Sequence, residues 1–343
     1  MKNALLEVRD LQTSFFTAAG EVKAVDSVSY YVDEREIVAI VGESGCGKSV
    51  TQMSVMQLIQ TPPGKIFGGE VLFEGKNLLD YKAKSKEMRA VRGAKIAMIF
   101  QEPMTSLNPV MTVGSQLSEV IAVHMKCTKK EAWERGCKAL ADIGIPDPDK
   151  RMHSYPFQMS GGMRQRVMIA IAVACGSRLI IADEPTTALD VTTQAQVMEL
   201  LMSLVDNFNT AIVIVTHNLG LVTRYADRIY VMYAGKVVES GTTEDLMTSP
   251  RHPYTVGLLR SVPSLSEKRG KPLIPISGAP PNLVMLPDYC SFYPRCPYAS
   301  DICKGSCPEL RLVGDNEHYS ACHIDIYPTP PNHECLTQEG SSS

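Results

Sequence analysis

No apolar run among these 343 residues reaches the roughly 20 needed to cross a bilayer. The longest candidate, residues 167–182, is broken by Gly176-Ser177-Arg178. Net charge is small as well: 34 Lys and Arg against 37 Asp and Glu leave −3, so nothing suggests a nucleic-acid surface. The opening residues MKNALLEVRD have no apolar core and do not read as a signal peptide. A cytoplasmic protein is expected, and any contact with a membrane would be made by docking on integral partners. Internal repeats are lacking, and Trp133 is the only tryptophan.

What is present is chemistry that grips phosphate. Gly42-Glu43-Ser44-Gly45-Cys46-Gly47-Lys48-Ser49 fits the pattern GxxxxGK[ST]. Before it lies a buried, β-branched run, residues 36–41, and after it a helix-compatible stretch with Met53, Met56 and Leu58. In that setting the loop amides wrap a β-phosphate, Lys48 reaches the β- and γ-phosphates, and the Ser49 hydroxyl sits on Mg²⁺. Only the backbone amide of Cys46 matters there.

Residues 178–183 (RLIIAD) read as a second buried strand, ending in Asp183-Glu184. Asp183 is placed to hold Mg²⁺ through water, and Glu184 to polarise an attacking water. A third strand, 211–215, leads to Thr216-His217, where the histidine can meet a γ-phosphate. A fourth, 95–100, leads to Gln101, whose amide can ligate Mg²⁺ or hold water. The segment 159–166, MSGGMRQR, is a second anion grip: two glycines and a serine at the start of a helical run. One nucleotide pocket does not obviously need two.

These elements, in this order, resemble the ATP-binding subunit of an ATP-binding cassette (ABC) transporter. The resemblance covers nearly the whole chain: Walker A at 42–49, the Q-loop at Gln101, the signature at 160–165, Walker B at 179–183 with Glu184, the D-loop at 188–190 and the switch histidine His217. It implies an α/β fold with a P-loop NTPase (RecA-like) core, an antiparallel β-subdomain and a helical subdomain, about 103–165. The alternating strand and helix patterns agree with parallel βαβ units, and residues 5–32 with an antiparallel sheet. The family pairs two cassettes head to tail, so Ser160, Gly161, Gly162, Gln165 and Asp190 would serve the ATP held by the other chain. Met159 stands where the family usually has Leu. An aromatic stacks on adenine in this family; by register it is Phe15, with Phe16 close behind. Thr105-Ser106-Leu107-Asn108-Pro109 would meet the membrane subunits.

Near residue 250 the pattern changes. Residues 1–250 are assigned to the nucleotide-binding domain, 251–327 to an extension, and 328–343 to a disordered, Pro- and Ser-rich tail. His252-Pro253-Tyr254-Thr255 and Tyr293-Pro294-Arg295-Cys296-Pro297-Tyr298 resemble the dipeptide and oligopeptide permease branch. Six of ten cysteines fall in this stretch: Cys290, Cys296, Cys303, Cys307, Cys322 and Cys335. In a reducing compartment such clustering argues for metal, either iron–sulfur or zinc, although the spacing is wider than a zinc ribbon's. In the resembling branch the tail can carry a [4Fe-4S] cluster, and that match makes Cys290, Cys296, Cys303 and Cys322 the ligands. Cys307 could replace Cys303 or Cys322.

The expected function is ATP hydrolysis that energises a dipeptide or oligopeptide importer. Partners would be a second cassette, a paralogue by the habit of this branch, two integral permease subunits and an extracytoplasmic binding protein. The site of action would be the cytoplasmic face of the inner membrane. A nickel or other small-solute importer is the runner-up. A soluble ABC ATPase of translation or repair, and an iron–sulfur redox protein, are further alternatives.

Overall fold

The computed structural model describes residues 4–101, 106–187, 189–261, 275–314, 317–324 and 326. Pro103 and Thr105, Ala188 of the expected D-loop, Cys335 and the expected tail 328–343 lie outside them.

Two sheets organise the chain. The first is antiparallel, in the order β2-β1-β4-β5, built from β1 (Leu6–Thr17), β2 (Gly20–Val32), β4 (Gly64–Phe73) and β5 (Lys76–Asn77). In the first half of β1, Leu6, Val8 and Leu11 are buried while Arg9, Asp10 and Gln12 face water, so one face packs inward. Register shifts between Val8 and Ser14 then bend the strand.

The second sheet has eight strands, in the order β11-β12-β10-β9-β3-β8-β7-β6. Its parallel part comprises β3 (Ile37–Val41), β6 (Ile96–Ile99), β7 (Leu179–Asp183), β8 (Ala211–Thr216) and β9 (Arg228–Tyr233). β3, β7 and β8 are buried at every residue, as continuous apolar runs require of a sheet covered on both faces. β10 (Lys236–Thr242) turns back antiparallel on β9. Two short strands, β11 (Arg311–Leu312) and β12 (Tyr319–Ser320), then extend the sheet at that edge. The Cys-rich region therefore adds to the core sheet rather than forming a separate layer.

Helix α1 (Lys48–Val55) starts directly from the phosphate loop, and α2 (Lys86–Val91) follows the antiparallel sheet. α3 (Val113–Met125), α4 (Lys129–Asp142), α5 (Pro148–Met152) and α6 (Gly161–Val173) make the helical region. Each long helix there begins on a polar cap: Thr112 for α3, Thr128 with Glu131 in a capping box for α4, and Ser160 for α6. α7 (Val191–Phe208) is capped by Asp190 and packs beside the sheet; α8 (Leu219–Val222), α9 (Thr243–Thr248) and α10 (Pro253–Arg260) complete the set. Among the described residues no helix is long and apolar enough to cross a membrane.

Candidate active site

The parallel strands β3, β7 and β8 end side by side, and the expected catalytic groups leave from those ends. Gly42 and Gly47 shape the loop after β3. Their φ angles are +155° and +105°, and a Cβ would lie 2.3 Å from the Met232 carbonyl oxygen and 2.1 Å from that of Ala24. Only glycine fits such approaches. Lys48 is buried, its Nζ donating to the carbonyls of Gly42 (2.8 Å) and Glu43 (2.9 Å).

Ser49 at the start of α1 donates to Asp183 Oδ1 at 2.9 Å. Burial pushes the Asp183 carboxyl above its ordinary range, so this carboxylate lacks a full counter-charge. Beside it Glu184 takes φ +46°, a conformation few non-glycine residues adopt. Its N–H donates to the Val215 carbonyl at 2.8 Å, which ties the strained residue to β8. Three side chains hold its carboxylate: Thr187 Oγ1 donates at 2.7 Å and Gln101 Nε2 at 3.2 Å to Oε2, and His217 Nδ1 lies 3.0 Å from Oε1. Burial raises this carboxyl, but the hydrogen bonds of His217 and Thr187 outweigh it, and the net direction is down.

The strand ends thus gather Lys48, Ser49, Gln101, Asp183, Glu184 and His217. The amide nitrogen of Gln101 meets Glu184, and Ser49 and Asp183 pair with each other. Phe15 is half-buried, close to Gly64, where an added Cβ would come within 2.9 Å of its ring. Phe16 is half-exposed and stacks edge-on against Phe67.

Ser160 is exposed and caps α6 by accepting from Met163 N–H. Gly161 and Gly162 follow on the first turn, and a Cβ on Gly162 would come within 2.9 Å of Thr193 on α7. Asp190 is exposed at the start of α7. Gln165 lies differently from Ser160 and Asp190. Its side chain is buried, because its position on α6 turns it toward the apolar interior, and its Nε2 finds no partner there.

Thr187 was not evident as a functional residue. The signal was a hydroxyl three residues after the acid, a spacing at which Ser and Thr bond locally. Tyr254 and Arg295 were visible as motif members without a role. Tyr254 is wholly buried and its hydroxyl accepts from Glu43 N–H at 2.8 Å. The preceding His252 caps α10, while its own N–H donates to Glu239, a buried carboxylate that also meets His318.

In the Cys-rich region Cys290, Cys296, Cys303 and Cys322 line one small cavity together with His252, Phe292, Tyr293 and His323. All nine described cysteines are free. Among the described residues no group of three or more His, Cys, Asp and Glu stands close enough to hold a metal ion.

Residues 25–187 match the family described as ABC transporter, and residues 238–303 match the oligopeptide/dipeptide transporter, C-terminal region. The chain is 49% identical to the oligopeptide transport ATP-binding protein OppD of Bacillus subtilis, across 96% of this chain and 91% of that one. It is 48% identical to the dipeptide transport ATP-binding protein DppD of the same organism, across 91% and 92%. This chain belongs to the ABC transporter ATP-binding family. Among solved structures, the cassette MJ0796, in a dimeric post-hydrolysis state bound to ADP and Pi, superposes on the chain with a TM-score of 0.62 at 26% identity. That likeness covers 69% of this cassette and 98% of the other.

Proposed function

We propose that this cassette is the ATP-hydrolysing subunit of an importer for dipeptides and oligopeptides. The observation that carries the reading is Glu184: a strained, ionised carboxylate at a strand end, fixed by three side chains next to the phosphate loop. Phosphoryl transfer asks the protein for positioning and charge stabilisation, and here each part has a holder. Glu184 orients the attacking water and accepts its proton. His217, already against Glu184, keeps the carboxylate aligned and faces the γ-phosphate. Lys48 exchanges two carbonyls for phosphate oxygens. Ser49 and Asp183 fit Mg²⁺, because a divalent ion between them would meet the charge that burial leaves uncompensated on Asp183. When bound there, the ion would supply positive charge against the charge that develops on the phosphate oxygens.

Ser160, Gly161, Gly162 and Asp190 lie at the exposed starts of α6 and α7, which suits contact with a second cassette's nucleotide. The peptide substrate class follows the names of the relatives and the C-terminal match. The chain would meet two integral permease subunits and work with an extracytoplasmic binding protein, at the cytoplasmic face of the inner membrane. Its second cassette would be a paralogue. Exposed Val110 and the exposed, stacked pair Tyr155 and Phe157 offer apolar surface for docking on the permease subunits. Residues 1–250 are read as the cassette and 251–327 as the extension. Phe15 is assigned to adenine.

We also propose that Cys290, Cys296, Cys303 and Cys322 hold a [4Fe-4S] cluster. Four thiols and no carboxylate line the cavity, beside His252 and His323, and the thiols would have to draw closer than they stand to ligate a cluster. Burial pushes Cys296 and Cys322 up to about 11, and binding iron as thiolates would remove that penalty. The cluster would cross-link a segment otherwise poor in regular structure.

Purification from membranes in mild detergent tests the transport reading. Two integral subunits should come with the cassette, and added peptide-loaded binding protein should stimulate its ATPase activity. Recovery alone, with activity indifferent to membranes and peptide, would refute it.

A further inference from the structure

The phosphate loop carries one acidic side chain, Glu43, in a place meant for a triphosphate. The answer to its charge comes from 252 residues further along the chain. Arg295 grips Glu43 with both arms of its guanidinium, at 2.6 Å and 2.8 Å. Its Nε donates to the Ser277 carbonyl at 3.0 Å, and one arm also reaches the Tyr233 hydroxyl at 3.4 Å. The Arg295 side chain is 5% exposed and that of Glu43 26%, so this is no solvated surface pair. The same loop residue is held at two further points: its N–H by the Tyr254 hydroxyl and its carbonyl by Lys48. Both Tyr254 and Arg295 come from beyond residue 250.

We propose that Arg295 is a positioning residue for the nucleotide: it cancels the charge of Glu43 and, with Tyr254, pins the first turn of the phosphate loop. Without it, a carboxylate in a partly desolvated site would repel the ATP phosphates, and the loop would lose one of three anchors. Arg295 closes a single turn, 293–295, in which Cys296 N–H bonds the Tyr293 carbonyl. Order around the thiol cavity is thereby transmitted to ATP affinity within one chain. This inference rests on the ATPase reading above.

The test uses the full chain in its membrane complex, with Mg-ATP titrated in steady-state hydrolysis and a fluorescent ATP analogue titrated in binding. R295Q should raise KM and the analogue's Kd about tenfold while kcat stays within about threefold. Made in an E43Q background, the same change should move KM less than about twofold, since no charge remains to be cancelled. The R295Q defect should shrink as salt rises. R295K should recover part of the affinity, keeping the charge but losing the fork, and it carries the test if R295Q does not fold. Unchanged affinity in R295Q and R295K would overturn the inference. So would an equal loss in the wild-type and E43Q backgrounds, which marks a scaffold role alone. A wild-type complex that hydrolyses no ATP would instead refute the ATPase reading.

Discussion

The two halves of the nucleotide environment are built by different means. On the strand side, Asp183, Glu184 and His217 stand at or just beyond the ends of buried parallel strands and Lys48 opens α1 after the loop from β3, so the sheet fixes most of their spacing before any side chain acts. On the extension side, the described residues of 290–324 hold two 3-10 turns and two two-residue strands. There the order comes from specific pairs: Arg295 with Glu43, His318 with Glu239, and aromatic contacts of Phe292 with Tyr233 and Tyr254. A sheet spreads the cost of losing one residue over many neighbours. A region held by pairs concentrates it, so single substitutions should separate the two halves.

The largest effect is expected on the strand side. Glu184→Gln keeps the shape of the side chain and removes its basicity. Turnover should fall by about 100-fold or more while ATP binding survives. Hydrolysis near the wild-type rate would mean that another group activates the water. Next in size is Cys296→Ser. Anaerobically purified wild type should be brown and contain iron, and the variant should lose both. Hydrogen exchange over residues 290–322 should then rise about tenfold or more, with β3, β7 and β8 unmoved. A colourless wild type containing zinc would overturn the iron assignment, and equal loosening of the core strands would break the contrast drawn here.

The same contrast sets what could be read without coordinates. Runs such as 36–41, 178–183 and 211–215 announce buried strands by composition, and they became β3, β7 and β8 with bounds one residue away at most. A motif at a strand end inherits its place from the strand. The pairing of Glu43 with Arg295 has no local cue, because neither residue alone reveals a partner so distant in sequence. Strands β11 and β12 were too short to show a period. The burial of Gln165 has no local cue, because it sits between Arg164 and Arg166 in the polar first half of α6.

The smallest effect concerns how finely the strand side is tuned. Thr187 donates the shortest of the three bonds on Glu184 and helps hold that carboxyl below its ordinary value. A hydrogen bond to the charged form lowers a carboxyl's pKa, so Thr187→Val must let it rise. Hydrolysis needs the ionised form, and the acid limb of the kcat profile should therefore move to higher pH. The loss at neutral pH should stay within about threefold, because Glu184 remains ionised there and still has His217 and Gln101. Stability follows the same sign. A carboxyl lowered in the folded state stabilises the fold above its unfolded value, and that share fades as pH falls through the folded one. The variant should thus lose some stability at neutral pH and have less left to lose in acid. An acid limb that stays in place would show that burial and His217 set the carboxyl by themselves, and that the turn after Glu184 serves only to lead the chain into α7.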